Sequence, residues 1–523
     1  MSQIPAQDAL ATHEVLNQPA PRGDLDLWGD DPAVQCHAGA AGADADHLAD
    51  YGARIGREAM RAAGRDANRH PPELVLFDAG GRRRDEVRFH PAYHDLMQAG
   101  IGAGYAALPW EGAAGGHATH AAMVYLTSQV EPGVCCPMTM TYAAVPALRA
   151  DTGLLGAWVP KLTSRSYDPA AKVLARKAGA TLGMAMTEKQ GGSDIRANAT
   201  RAVAEGDHYR LTGHKWFCSA PMSDAFLTLA YTEEGLTCFL VPRWKPDGTR
   251  NGIHVMRLKD KMGDKSNASS EIEYHGAWAE RLGEAGRGVR TIIDMVQHTR
   301  YDCILGSTGG IRAALVQALW HTSQRRAFQK ALIDQPAMRV VLADLVIESE
   351  AATAIALRVG ASLDRAATDE QEAAFMRLAT PLAKYWVCKR QPGFVYEALE
   401  CHGGAGYVEE GPMPRLYRQS PLNAIWEGSG NVIALDVLRA LSREPDSLEA
   451  VQAELKKPLG RHHAYDAHVG RLAEYLTPGN LHEGTARGFA RDAALALQGA
   501  ALHEMAPDFV FEAFCAQRLS SDR

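Results

Sequence analysis

At 523 residues the chain is too long for one ordinary core, and its length predicts two to four domains with room to enclose a large cofactor. A composition that is 46% hydrophobic and 22% charged excludes a disordered chain. A formal charge of -7 excludes a general attraction to nucleic acid or anionic membrane, although a local basic patch is compatible with an acidic total.

The N-terminal stretch MSQIPAQDALATHEVLNQPAPRGD lacks a basic region followed by an apolar one, and no apolar run reaches the roughly 18 residues of a membrane span. A chain neither exported nor membrane-spanning is expected. From about 46 to 178 apolar residues recur at spacings of three and four, which predicts an N-terminal helical domain with its arm over 1–179. From 180 to 284 alternating and β-branched runs such as DAFLTLAYT and LTCFLVPR, separated by turn signals such as PDGTRNG, predict an antiparallel β domain. Helical spacing returns over 285–445, and REPDS at 443–447 reads as a linker to a C-terminal helical extension over 446–523. The fold class is therefore α+β, in the order helices, sheet, helices.

Nine cysteines, at 36, 135, 136, 218, 238, 303, 388, 401 and 515, show no CxxC or zinc spacing and read as reduced thiols of a cytoplasmic protein. The twenty histidines include RHHAYDAH but no ligand set, so no metal is expected. GIGAG at 100–104 lacks a preceding strand, and EGSGN is not a nucleophile elbow.

Two stretches carry chemistry. In TEKQGGSD, Thr187 to Asp194, the Gly-Gly-Ser-Asp turn exposes backbone N–H groups beside the Thr187 and Ser193 hydroxyls; this suits a polar ring edge or a phosphate, and equally an ordinary polar connection. In NAIWEGSGN, Glu427 stands between Trp426 and a Gly-Ser-Gly turn. Ser429 or Asn431 is placed to cap a helix whose apolar face includes Val432, Ile433, Val437 and Leu438, with Glu427 favouring its N-terminus. An acid beside tryptophan is also placed for partial burial, which raises a carboxyl pKa and makes it a candidate base.

TEKQGGSD followed by GHKWFCS, in helix-sheet-helix order, resembles the acyl-CoA dehydrogenase family of flavoproteins. The resemblance implies FAD, with Met184, Met186, Thr187, Gly192 and Ser193 lining its isoalloxazine ring and the strand Trp216, Phe217, Cys218 and Ser219 on the other flank. SQRRAFQ resembles the family's R-x-x-F-G segment, which implies that Arg325, with Phe328, reaches the FAD pyrophosphate of a neighbouring subunit; the usual glycine is Gln329 here. ECHGGAGY resembles the G-G-x-G-[FY] loop, with Gly403 and Gly404 approaching the adenosine side of FAD and Glu400 in place of the commoner Gln. IWEGSGN resembles the catalytic E-G-[TS] turn: Glu427 is then the base, and Trp426, Gly428, Ser429 and Asn431 complete the cofactor site.

ALPW, CPMTMTYAAVP and LKDKMGDKSNASSEIEY are further similar to the AidB-like, alkylation-response branch of the family, and the match runs from Thr12 to about Leu441. The implied function is α-proton abstraction from an acyl-CoA thioester by Glu427 with β-hydride transfer to flavin N5, in a homotetramer. The alternatives are an alkylation-response protein that binds DNA or inactivates alkylating agents with little acyl-CoA turnover, and a flavin-bound scaffold. Residues 446–523 hold eight Lys or Arg against eleven Asp or Glu, so any DNA contact there is expected to be weak and non-specific.

Overall fold

The computed structural model describes residue 4 and residues 6–520. Asp522 and Arg523, which enter the C-terminal charge count, lie outside the described residues, as do the first three positions and Pro5 of the N-terminal arm. The first helical layer comprises α1 (Pro32–Ala40), α2 (Ala45–Ile55) and α3 (Glu58–Arg69), a hairpin of β1 (Glu73–Phe77) and β2 (Arg83–Arg88), and then α4 (Pro91–Gly102), α5 (Gly116–Val130), α6 (Cys135–Leu148) and α7 (Thr152–Leu162). Aspartates start several of these helices: Asp31, Asp44 and Asp151 each accept a hydrogen bond from the N–H three residues on. Every residue of α6 is buried, so it forms the centre of this layer rather than a face.

The hairpin corrects the wholly helical reading of residues 46–178. Its turn is closed by Asp78, whose carboxylate accepts from the N–H groups of Gly80 and Arg82 at 2.9 Å each. The alternation in RRRDEVRF places a charge, Asp85, on the inward side, where it is 1% exposed and accepts from Arg83 and from the Val255 N–H. A buried carboxylate in place of an apolar residue hides the strand's period.

The central sheet contains β3 (Leu182–Ala185), β4 (Arg201–Glu205), β5 (His208–Ser219), β6 (Ala225–Thr232), β7 (Gly235–Pro242), β8 (Ile253–Leu258) and β9 (Ser269–Leu282). Its order is β3-β6-β4-β5-β9-β7, and β6 also pairs with β7, so most strands have two partners and the open edge is short. The expected wholly antiparallel sheet is corrected in one respect: β3 and β4 both run parallel to β6. The long connection before β4 carries TEKQGGSD and allows that crossover.

The second helical layer holds α8 (Gly288–Gln324), a short hairpin of β10 (Arg326–Ala327) and β11 (Lys330–Ala331), α9 (Pro336–Arg365), α10 (Glu370–Glu400), α11 (Met413–Gln419), α12 (Gly430–Arg443), α13 (Pro445–Lys456), α14 (His463–Tyr475), α15 (Ala486–Met505) and α16 (Asp508–Phe514). No linker separates α12 from α13, because only Glu444 lies between them. Residues of α13 and α15 join the same core cluster as α9 and α10, and Arg358 reaches Glu454 at 2.7 Å in a buried ion pair. The C-terminal segment is thus part of this layer's core, held by apolar contacts that its charge-rich sequence does not advertise.

Candidate active site

Glu427 occupies the turn before α12 with a φ of 57°, a left-handed conformation that strains a non-glycine residue. Such a conformation persists only where its surroundings over-determine it, and here two long helices do so. From α10, the ammonium of Lys384, itself 2% exposed, donates to the carbonyls of Asn423, Trp426 and Gly428 at 3.0, 3.0 and 2.9 Å. From α8, Arg300 Nε donates to the Glu427 carbonyl at 3.0 Å, and its other arm reaches Asp436 of α12 at 2.8 Å. The Trp426 indole N–H donates to Asn423 Oδ1 at 2.8 Å, which fixes the ring beside the acid.

The Glu427 carboxylate accepts from Thr299 Oγ1 at 2.9 Å. Burial raises its pKa above the ordinary glutamate value, against the pull of the Thr299 hydrogen bond and of the charges on Lys384 and Arg300. With Glu427 acting as a general base, which requires the deprotonated carboxylate, turnover would rise with pH through this elevated pKa. Thr299→Val removes a bond that favours the carboxylate, so the acid limb of kcat/KM should move to higher pH. A limb unmoved in Thr299→Val would detach that hydroxyl from the titrating group.

The TEKQGGSD and GHKWFCS strings meet through the backbone, as the Trp216 N–H donates to the Thr187 carbonyl at 2.7 Å. They are locked together by Glu188 and Lys215, a pair 2.7 Å apart with both side chains at 0% exposure. Burial alone would raise the Glu188 carboxyl, but Lys215, the Ala199 N–H and Thr200 bring it down to about 2. A bulge in β5 opposite Ile272 and Ser270 sets an extra residue between Lys215 and Cys218. It turns Trp216 and Phe217 outward while both flanking residues point in. Met184 and Met186 pack at the edge of the same cluster as Trp426, and Gly192 and Ser193 are exposed.

The other expected site residues make contacts of their own within the chain. The Cys218 side chain is fully buried in the sheet core while its carbonyl accepts from the Ser270 hydroxyl, and Ser219 bonds Ser269 across the strands. Ser429 stands at the N-cap of α12 but its side chain makes no cap bond, and Asn431 accepts from Arg487 instead. Arg325 donates to the Asn17 carbonyl of the N-terminal arm. Phe328, 91% exposed, and Gln329 form the two-residue turn of the β10–β11 hairpin with φ of 49° and 66°. Both positive φ values belong to a type I′ turn, which explains why glycine is the easier residue there. Glu400 is exposed, and a Cβ added at Gly403 or Gly404 would meet open space.

Thr299, Arg300, Lys384 and the Glu188–Lys215 pair escaped sequence reasoning. The available signal was a lone lysine, Lys384, in the apolar run ATPLAKYWVC, a charge that must find partners when the helix is buried. Among the described residues no group of three or more His, Cys, Asp or Glu is arranged to hold a metal, and no helix is long and apolar enough to cross a membrane.

Residues 183–277 match the acyl-CoA dehydrogenase middle domain, residues 286–442 the acyl-CoA dehydrogenase C-terminal domain, and residues 17–169 the N-terminal domain of the adaptive response protein AidB. The chain is 46% identical over 475 residues to Escherichia coli AidB, covering 89% of this chain and 87% of that protein. The chain belongs to the acyl-CoA dehydrogenase family. Within it, the AidB-type N-terminal domain marks the branch. It is 33% identical over 445 residues to acyl-CoA dehydrogenase family member 11 of Caenorhabditis elegans, covering 82% of this chain and 71% of that one. Its fold superposes on Caenorhabditis elegans ACDH-11, solved in complex with C11-CoA, with a TM-score of 0.89 and 28% identity over 100% of this chain and 96% of that one. The helix-sheet-helix order read from the sequence is the fold of this family, and membership makes the protein an oxidoreductase.

Proposed function

We propose that the protein is an FAD-dependent dehydrogenase of acyl-CoA thioesters in which Glu427 removes the α proton. The observation that carries this reading is the half-buried, raised-pKa carboxylate of Glu427 on a strained turn clamped by Lys384 and Arg300, a construction that a helix-favouring surface acid does not need. Among the described residues the Glu427 N–H has no hydrogen-bond partner and remains a donor for a thioester oxygen as enolate charge develops. Trp426, partly buried against the same apolar cluster as Met184 and Met186, would exclude water beside the acid and keep it basic.

The chemistry of the opposite wall suits FAD. Lys259 lies 3.2 Å over the Trp216 ring, with Arg257 and Lys189 at 5.5 and 5.7 Å, so the indole is ringed by cations beside the exposed Gly192–Ser193 backbone. That combination matches an aromatic ring system carrying phosphates. Bound FAD would supply the hydride acceptor. The exposed Phe328 turn and Arg325 support a site completed by a neighbouring subunit in a homotetramer. The nine free cysteines, eight of them buried, suit a reducing cytoplasm.

A DNA role has weaker support, because the C-terminal cations are largely engaged within the chain: Lys457 with Glu454 and Glu504 at 2.9 Å, and Arg471 with His468 at 3.1 Å. The purified protein is expected to be yellow and to release a flavin of dinucleotide mass on denaturation. Anaerobic addition of acyl-CoA thioesters of graded chain length should bleach the flavin with at least one of them. Colourless protein that takes up no added FAD would remove the cofactor assignment; a yellow protein that no thioester bleaches would remove the substrate assignment alone.

A further inference from the structure

Between the β1–β2 hairpin, α4 and the β domain lies a cavity of about 740 Å³, within the range of small-molecule sites. Neither Glu427 nor any residue of TEKQGGSD or GHKWFCS lines it. Its cations are nearly all neutralised from within. Arg83 and Arg250 share Asp85, Arg84 and Arg88 share Glu86, and Lys177 meets Asp224 at 3.0 Å.

Arg243 is different. Its backbone is pinned on both sides, its N–H donating to the Asp224 carbonyl and its own carbonyl accepting from the Asn251 N–H. Yet its guanidinium forms no ion pair within 4 Å among the described residues, although Asp224 and Asp85 lie near enough to favour its charge, and its one side-chain hydrogen bond goes to the Met222 sulfur at 3.7 Å. Burial lowers its pKa to about 10, so it remains charged at neutral pH. A half-buried guanidinium with no carboxylate bound to it leaves donors facing the cavity for an acceptor.

The surroundings narrow the acceptor. One open cation, with Asp168 and Asp224 also lining the cavity, favours a single negative charge over a phosphate dianion. A planar guanidinium fork matches a planar carboxylate through two parallel hydrogen bonds. One wall is apolar and aromatic: Phe89 stacks on Tyr93 with ring centroids 4.1 Å apart, beside Tyr167, Trp244 and Met97, while His94, Thr181, Ser223 and Asn251 add neutral polar groups elsewhere in the lining. We propose that this cavity is a second ligand site, distinct from the Glu427 site, that binds a small organic monocarboxylate with its carboxylate on Arg243 and its apolar body against Phe89, Tyr93 and Trp244.

The test is calorimetric titration of the full-length, FAD-loaded protein, with tryptophan fluorescence as a second readout, using 3-phenylpropionate, octanoate, 3-phenylpropionamide and inorganic phosphate. Saturable binding of one or both carboxylates is expected, with the amide and phosphate at least about 10-fold weaker. Arg243→Met should weaken carboxylate binding about 10- to 100-fold, the range for loss of hydrogen bonds to a charged group. Arg243→Lys, which keeps the charge and loses the fork, should fall between, and it carries the test if the Met variant does not fold. Glu427→Gln should bind the carboxylates as the parent does, which separates this cavity from the acyl site. The proposal is overturned if neither carboxylate binds, if phosphate or the amide binds as well, if both Arg243 variants match the parent, or if Glu427→Gln abolishes the signal.

Discussion

Glu427→Gln is expected to retain FAD and to slow flavin reduction by an acyl-CoA thioester about 10²- to 10⁴-fold, the usual worth of a general base. The substitution is close to isosteric, and the amide oxygen still accepts from Thr299. Arg300 and Lys384 grip the turn through backbone carbonyls that the change does not touch. What disappears is the lone pair able to take a proton, so the loss should fall on the chemical step and leave thioester affinity nearly intact. Anaerobic stopped-flow measurement of the flavin absorbance separates these. Equal rates in parent and variant would return Glu427 to the role of an acid that favours the N-terminus of α12.

The largest effect on stability is expected at Lys384. Replacement by Met keeps most of the volume and removes the donor shared by three enclosed carbonyls, those of Asn423, Trp426 and Gly428. Each buried acceptor left unpaired costs about 1–3 kcal/mol, so a total of about 3 kcal/mol or more is expected even after partial relaxation. The relaxation matters for function, because the turn that loses its clamp holds Glu427 at positive φ. Lys384→Met should therefore lose stability and flavin reduction together, whereas Glu427→Gln loses only the second. Denaturant unfolding followed by tryptophan and by flavin fluorescence checks this. A Lys384→Met protein that unfolds with the parent and reduces flavin at the parent rate would mean that Arg300 alone fixes the turn.

Much of the architecture was legible in the sequence because it is encoded locally. Spacing of three and four residues in α2 and α5, alternation in β6 and β7, and the turn at 246–252 declare element types without reference to distant residues. The β1–β2 hairpin was not legible, since its inward charge Asp85 is satisfied by Arg250 and Val255, more than a hundred and fifty residues away. The false linker at 443–447 has a similar origin. Pro445 starts a helix as readily as it ends one, and only packing against α10 decides between them.

The candidate site divides along the same line. By itself the sequence determined which groups are present, an acid next to tryptophan in a glycine-rich turn and a Gly-Gly-Ser-Asp segment ahead of a tryptophan strand, because those neighbours are joined by covalent bonds. Tertiary structure alone decided what those groups can do. Thr299 comes to Glu427 across 128 positions and Lys384 to Gly428 across 44, and Glu188 meets Lys215 across 27. Proton affinity and backbone strain depend on local desolvation and on charges within a few ångströms. Such distances are set by how α8, α10 and the sheet pack, which no short string of residues specifies.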